Sequence, residues 1–359
     1  MTISNRRATP VLAAVAAGLL ALQALPARAE TFTVTNLVSD GFVPAVTVDP
    51  SLINPWGISY APTSPFWVSD NNAGVSTLYT GSGSKSSLTV NIPPPKGKSG
   101  VGTPTGQVYN EVSTDFKVTS GGVSGSALFI FATEDGTISG WAPSVNGTNA
   151  ILAVDNARDK AVYKGLAIAK RSGGAQYLYA ANFRAGDVEM YNAKFKLVKV
   201  FTDSTVPAGY APFNVQTLAG ALYVTFAKQD KSKHDDVPGP GHGFVDLFSL
   251  DGTLKGRLVS RGELNSPWGL DIAPASFGAF AGDLLVGNFG NGWINAFDPA
   301  TGAFVGTLNG SDGNPLAIGD LWALINGNAG GGADPNKVYF TAGLVAESHG
   351  LFGSLTAVP

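Results

Sequence analysis

From residue 30 onward the hydrophobic and polar positions repeat one unit. It is an apolar strand, a short polar turn that usually holds Gly, and a second strand ending in an aromatic residue or Leu-Phe. Four copies are continuous: FWVSDNNAGVSTLY (66–79), LFIFATEDGTISGW (128–141), LYAANFRAGDVEMY (178–191) and LLVGNFGNGWINAF (284–297). Two are split, LYVTF with GFVDLF at 222–226 and 243–248, and VYFTA with HGLFG at 338–342 and 349–353. A shorter apolar strand precedes each copy, most clearly in Asn54-Pro55-Trp56-Gly57-Ile58 and Ser266-Pro267-Trp268-Gly269-Leu270, and a fourth strand follows most of them, as at 197–201, 254–259 and 303–308. Six such four-stranded units of about 55 residues predict an all-β, six-bladed β-propeller.

The two chain ends test that reading. The last unit has strands near 321–325, 337–341 and 350–357, and no outer strand before Pro359. Thr31–Val38 belongs to no other unit and has the β-branched composition of a strand. An open ring leaves an unpaired strand edge, so the N-terminal strand is expected to pair with the final blade and close the propeller.

Composition sharpens the picture. With 46 Gly, 22 Pro and only 14% charged residues, against about 25% in an average soluble domain, the chain is neither a coiled coil nor a charged disordered protein. The absence of Cys excludes disulfides, thiol nucleophiles and Cys-ligated zinc, and three His with two Met leave few soft metal ligands. Arg6 and Arg7, an apolar run over 11–25 and Ala27-Arg28-Ala29 read as a signal peptide over residues 1–29. The run is short for a bilayer span of about twenty residues. The expected organisation is therefore a cleaved leader and a single propeller domain over 30–359, exported to the periplasm or the extracellular medium. Cleavage leaves 20 basic against 26 acidic side chains, a net charge of −6. No later segment is apolar enough to span a membrane and no basic block suggests nucleic acid, so a monomer without nucleic-acid partners is expected.

The repeat pattern resembles NHL-type six-bladed propellers, whose blades carry a strand, an Asp/Asn-Gly turn and a strand ending in an aromatic. The stretches NPWG, KHDDVPGPGHGFVDLF, SPWGL, LLVGNFGNGWINAFDPATGAF and ESHGLFG resemble a family of exported bacterial propeller proteins of uncharacterised function. The resemblance covers nearly all of the chain after residue 29 and implies the fold and export, without a known activity. Many members of that family carry a C-terminal sorting helix. The chain stops at Pro359 without one, which reads as a released protein.

Propeller geometry puts the turns between strands two and three, and the links into the next blade, on one face of the disk. That face holds Asp70-Asn71-Asn72, Glu134-Asp135, Asn182-Phe183-Arg184, the insertion 227–242, Asn288-Phe289 and Glu347-Ser348-His349, while the turns on the other face look short and plain. All three His, namely His234, His242 and His349, fall in this class of loop. Within the insertion, Asp230, Asp235 and Asp236 offer hard oxygen ligands for Ca²⁺ or Mg²⁺, and His234 and His242 suit a transition metal or acid–base work. The plain alternative is a solvated loop stiffened by Pro-Gly-Pro. Asp70, Asn182 and Asn288 occupy equivalent positions, where each either caps its own turn or faces the channel as a ligand. Trp56, Trp268 and Trp322 either pack as wedges or present a stacking surface at the channel mouth.

The candidate ligand-binding residues are therefore Asp70, Asn182, Asn288, His234, His242, Glu347 and His349, with Asp235 and Asp236 as candidate metal ligands and a divalent cation such as Ca²⁺ as the cofactor they suit. No G-x-S-x-G elbow, phosphate loop, H-E-x-x-H or dinucleotide fingerprint is present. Two function classes follow. One is a propeller that binds a small molecule, glycan or protein through this channel face, and the other is a divalent-cation-dependent hydrolase or lyase of the lactonase type.

Overall fold

The computed structural model describes residues 1, 2 and 30–358; beyond Met1 and Thr2, the expected signal peptide lies outside the described residues. Six antiparallel four-stranded sheets form the blades. Blade 1 comprises Pro55–Ser59, Phe66–Asp70, Val75–Tyr79 and Lys85–Asn91, and blade 2 comprises Pro104–Tyr109, Phe129–Thr133, Thr137–Trp141 and Ile151–Asp155. Blade 3 comprises Tyr163–Lys170, Gln176–Asn182, Asp187–Asn192 and Leu197–Phe201, and blade 4 comprises Tyr210–Leu218, Ala221–Lys228, Gly243–Phe248 and Leu254–Ser260. Blade 5 comprises Pro267–Ile272, Leu284–Asn288, Ile294–Phe297 and Phe304–Thr307, and blade 6 contributes Leu321–Asn326, Val338–Ala342 and Leu351–Val358. Neighbouring first strands touch in a closed ring around the axis.

Each sheet packs both faces against its neighbours. The second strands Phe66–Asp70, Phe129–Thr133, Leu284–Asn288 and Val338–Ala342 are consequently buried at every residue. Burial on both faces is why they read as apolar runs rather than as alternating strands. The fourth strands are edges, and they show it: Leu197–Val200 is exposed at all four residues, with Lys199 among them.

Blade 6 is completed by Thr31–Ser39, which pairs antiparallel with Leu351–Val358 in the register Thr31 with Val358 through Ser39 with Leu351. This is the closure that the sequence predicts. Phe32 anchors the strand, buried with its ring 5.0 Å from that of Phe277 and 5.9 Å from that of Phe280. A short parallel partner, Thr47–Val48, adds a fifth strand outside it.

The turns between first and second strands are less plain than the sequence suggests. Blade 2 inserts a hairpin there, Lys117–Ser120 with Val123–Ser126, turning at Gly121-Gly122, both at positive φ as a tight hairpin requires. Phe116 and Val118 root it in the core. Blade 5 inserts a 3₁₀ segment, Ala275–Phe280.

The first strands approach each other closely because of Gly57, Gly106, Gly165 and Gly269. A Cβ on Gly106 would lie 2.2 Å from the Leu166 amide nitrogen, and one on Gly269 would lie 2.6 Å from the Trp322 carbonyl oxygen.

Candidate functional site

In all six blades the ladder between the first and second strands slips at the same place, next to this glycine ring. The residues in the slips include Trp56, Thr105, Lys164, Phe213, Trp268 and Trp322, one from each blade. A β-bulge re-aims the side chain it carries; five of these six meet around the propeller axis, while the Thr105 hydroxyl donates to the Ala132 and Tyr163 carbonyls. Trp56 and Trp322 stack with ring centroids 3.5 Å apart, Trp268 meets both edge-on at 6.3 and 5.8 Å, and Phe289 lies 4.3 Å from Trp322. With Phe183 and Phe213 they form a buried apolar plug. The Trp rings thus pack on one another across the axis and expose no face for stacking.

Above the plug sits a charged cluster whose hub is Lys164. Its side chain is 3% exposed, its ammonium is 5.0 Å from the Trp56 ring centroid, and it bonds both Glu134 Oε1 and, at 3.2 Å, Asp235 Oδ1. Asp235 also pairs with His234 Nδ1 at 2.8 Å. Asn71 donates to Glu134 Oε2 at 2.9 Å. On the blade 6 side, Asn54 donates to Glu347 Oε2 at 2.7 Å while its own Oδ1 accepts the Trp322 indole N–H at 3.0 Å. The backbone that presents Glu347 is strained: Val345, Ala346 and Glu347 have φ of 58°, 51° and 65°, a left-handed turn that L-residues rarely adopt in succession.

Each pKa in the cluster follows from its surroundings. Burial alone pulls the Lys164 ammonium down, but Glu134 and Asp235 outweigh it and the net shift is upward. The hydrogen bond to His234, with Lys164 nearby, holds the Asp235 carboxyl down at about 2, and the same bond raises the His234 imidazole. Burial pushes Glu347 up to about 7 against the hydrogen bond from Asn54, and pushes Asp236 up to about 6.

Of the residues singled out in the sequence, the structure brings together His234, Asp235 and Glu347. Asp236 lies close enough to feel the Lys164 charge, and its Oδ2 has no partner among the described residues. The others lie elsewhere. Asn182 accepts from the Val162 and Ala185 amides and donates to Glu189, and Asn288 accepts from the Asn265 amide and donates to the Glu263 carbonyl, so both are consumed inside the fold. Asp70 is fully buried and accepts from Thr77 at 2.7 Å. His242 contacts the Val237 carbonyl within its own loop at 2.7 Å. His349 contacts Asp40 Oδ2 at 2.7 Å and stacks on Phe42, fastening the segment after the closing strand. The sequence reading does not reach Lys164. Its signal is the alignment of the blades, which puts a lysine where the other five carry Trp, Thr or Phe.

Glu134, His234 and Asp235 offer three ligand atoms within 4.8 Å of one another. The Lys164 ammonium already bridges two of them, Glu134 and Asp235.

No family profile matches the chain. The uncharacterized protein R648 of Acanthamoeba polyphaga mimivirus is 33% identical over 343 residues, covering 92% of this chain and 82% of its own length. The uncharacterized protein L690 of the same virus is 34% identical over 340 residues, covering 92% and 87%. The chain belongs to the family of these viral proteins. Membership carries no assigned activity. Among solved structures, a protein of unknown function from Bacteroides thetaiotaomicron has a TM-score of 0.54 at 12% identity, covering 91% of this chain and 76% of that one. A streptogramin B lyase has a TM-score of 0.48 at 10% identity, covering 92% and 98%. Likeness at such low identity is one of fold.

Proposed function

We propose that this protein is an exported ligand-binding propeller that takes a glycan or another small polyhydroxylated molecule at the mouth built by Lys164, Glu134, Asp235, His234, Glu347 and Asn54. The carrying observation is the convergence of these side chains, from blades 1, 2, 3, 4 and 6, over a sealed apolar floor. Carboxylates accept hydroxyl protons while amide, ammonium and imidazole groups donate, the mixed set that a polyol needs. With the aromatic rings buried, recognition falls to polar contacts at the rim. Export rests on Arg6, Arg7, the apolar run and Ala27-Arg28-Ala29, which together form a cleavable leader.

A glycan array probed with the purified protein tests the binding reading, with calorimetry on any glycan retained. Glu347→Gln and Asp235→Asn should each weaken binding at least tenfold. Retention of no glycan, or affinity unchanged in both variants, overturns it.

The second reading is a divalent-cation-dependent hydrolase or lyase, favoured by one observation, the Glu134, His234 and Asp235 trio. A Ca²⁺ ion entering there must displace or tolerate the Lys164 ammonium a few ångströms away, and that repulsion ranks this reading second. Saturable binding of Ca²⁺, Mg²⁺ or Zn²⁺ that is lost in Asp235→Asn reverses the order.

A further inference from the structure

A pocket of about 640 Å³ opens at the outer rim of blades 1 and 2. Its size falls within the roughly 300–1,000 Å³ of ligand pockets. Pro95, Lys96 and Lys98 form one wall, in the link that leaves the outer strand of blade 1, and Asp155, Ala157 and Arg158 form the other, at the end of the outer strand of blade 2. The pocket shares no residue with the cluster around Lys164.

Both walls are held by the fold. Asp155 joins them, since its Oδ2 accepts the Lys96 amide at 2.8 Å and its Oδ1 accepts the Ala157 amide at 3.2 Å. Pro93-Pro94-Pro95 fixes φ at the start of the first wall, and the Lys98 amide returns to the Pro95 carbonyl at 3.0 Å. The far end of that link is pinned where Asp135 Oδ2 accepts the Thr103 amide and hydroxyl, both at 2.9 Å. The second wall is anchored by Asn156, whose side-chain amide donates to the Tyr163 and Tyr191 hydroxyls at 2.7 and 3.0 Å. Backbone held in this way keeps its place when a ligand arrives, which removes part of the ordering cost of binding.

The charges of the pocket do not cancel. Lys96, Lys98 and Arg158 are all exposed, and none of them forms an ion pair among the described residues. The one carboxylate on the walls, Asp155, spends both oxygens on backbone amides rather than on these cations. Three cations against one carboxylate leave a surplus of 3 − 1 = +2, in a chain whose net charge is −3.

We propose that this pocket binds a phosphate monoester, with the phosphate among Lys96, Lys98 and Arg158 and the organic part in the remaining volume. A phosphate monoester carries a charge of about −1.5 to −2 near neutral pH, which matches the surplus. The Arg158 guanidinium offers a fork for two phosphate oxygens, while the lysines act as point charges. A sulfate monoester carries a single charge and leaves part of the surplus uncompensated. A free phosphate ion leaves most of the pocket empty, so the ester gains contacts that the ion lacks.

The probe is glucose 6-phosphate, titrated calorimetrically into the purified protein at pH 8 and low ionic strength, where screening is weak. Glucose 6-sulfate and inorganic phosphate are its counterparts. Saturable one-to-one binding is expected, severalfold tighter than that of either counterpart. Arg158→Gln and the double variant Lys96→Gln/Lys98→Gln should each weaken it at least tenfold, and circular dichroism confirms that both are folded. Lys117→Gln/Lys255→Gln removes two exposed lysines elsewhere and should leave the affinity unchanged, as should Glu347→Gln, which separates this pocket from the glycan mouth. The proposal is overturned if glucose 6-phosphate does not bind saturably, or if either counterpart binds as tightly. It is equally overturned if the folded pocket variants keep the original affinity, or if the Lys117 and Lys255 or the Glu347 variant loses as much as they do.

Discussion

Lys164 and Trp56 come from blades two places apart and meet on the propeller axis, the ammonium 5.0 Å from the ring centroid. A cation over an aromatic face recovers part of its lost hydration, and Glu134 and Asp235 supply the remainder. The pairing joins the apolar plug to the charged cluster, because the residue that bridges the carboxylates is also the blade 3 member of the axial set.

Lys164→Met keeps the apolar stem and removes the charge. Breaking a buried ion pair costs about 3–5 kcal/mol, and because Asp235 is largely exposed the loss should fall near the lower end, about 3 kcal/mol. Urea unfolding at pH 7 measures it. A loss below about 1 kcal/mol would show that the ammonium is not the hub of the cluster.

Asp271 makes the fold pH-sensitive with a defined sign. Its carboxyl rises from the ordinary 3.8 to about 7 in the folded state because it is buried, so between those values the folded chain holds a proton that the unfolded chain has released. Its contribution to stability therefore falls as pH rises from about 4 to 7 and is level above. Asp271→Asn removes the penalty and should raise the melting temperature at pH 8 by a few degrees, with the two proteins converging near pH 4. A variant that melts lower at pH 8 would refute the argument.

The closing strand is held by its ladder to Leu351–Val358 and by the buried side chains Phe32, Leu37 and Val38. Phe32→Ala empties the space against Phe277 and Phe280 and should cost about 3–5 kcal/mol, as large-to-small core changes of Phe do. Removing residues 30–39 should expose the edge of blade 6 and cause aggregation. A chain starting at Asp40 that melts like the protein starting at Glu30 would contradict the pairing of Thr31–Ser39 with Leu351–Val358.

The processed protein should begin at Glu30. The fold already holds this residue, since Glu30 Oε2 accepts the Ala279 amide at 3.0 Å. Mass spectrometry of the protein recovered from outside the cytoplasm checks the terminus. Recovery of the chain with Met1 intact in the cytosolic fraction would exclude the leader.

Repeated strand-turn-strand units were enough to read the blades, their number and the closure, because a sheet packed on both faces must write its second strand as an apolar run and its turn as Gly or Asn. The site was legible only in part. His234, Asp235 and Glu347 stand out as polar residues in loops, whereas Asn182 and Asn288 look the same in sequence and spend their side chains on hydrogen bonds inside the fold. His242 and His349 share a loop class with His234 but serve their own loop and the N-terminal segment. Lys164 and Asp271 are hidden because each sits inside an apolar first strand, where a single charged residue carries no period.

The sequence by itself determined the all-β repeat, the ring of six and the strand that seals it, since these follow from local patterns and from the need to pair every edge. Only the tertiary structure decided which polar residues share a site. Bulges in five blades turn a side chain toward the axis, and residues as distant in sequence as Asn54 and Glu347 become hydrogen-bond partners there. Proximity of this kind is set by the curvature of the whole ring, which no single segment of the chain encodes.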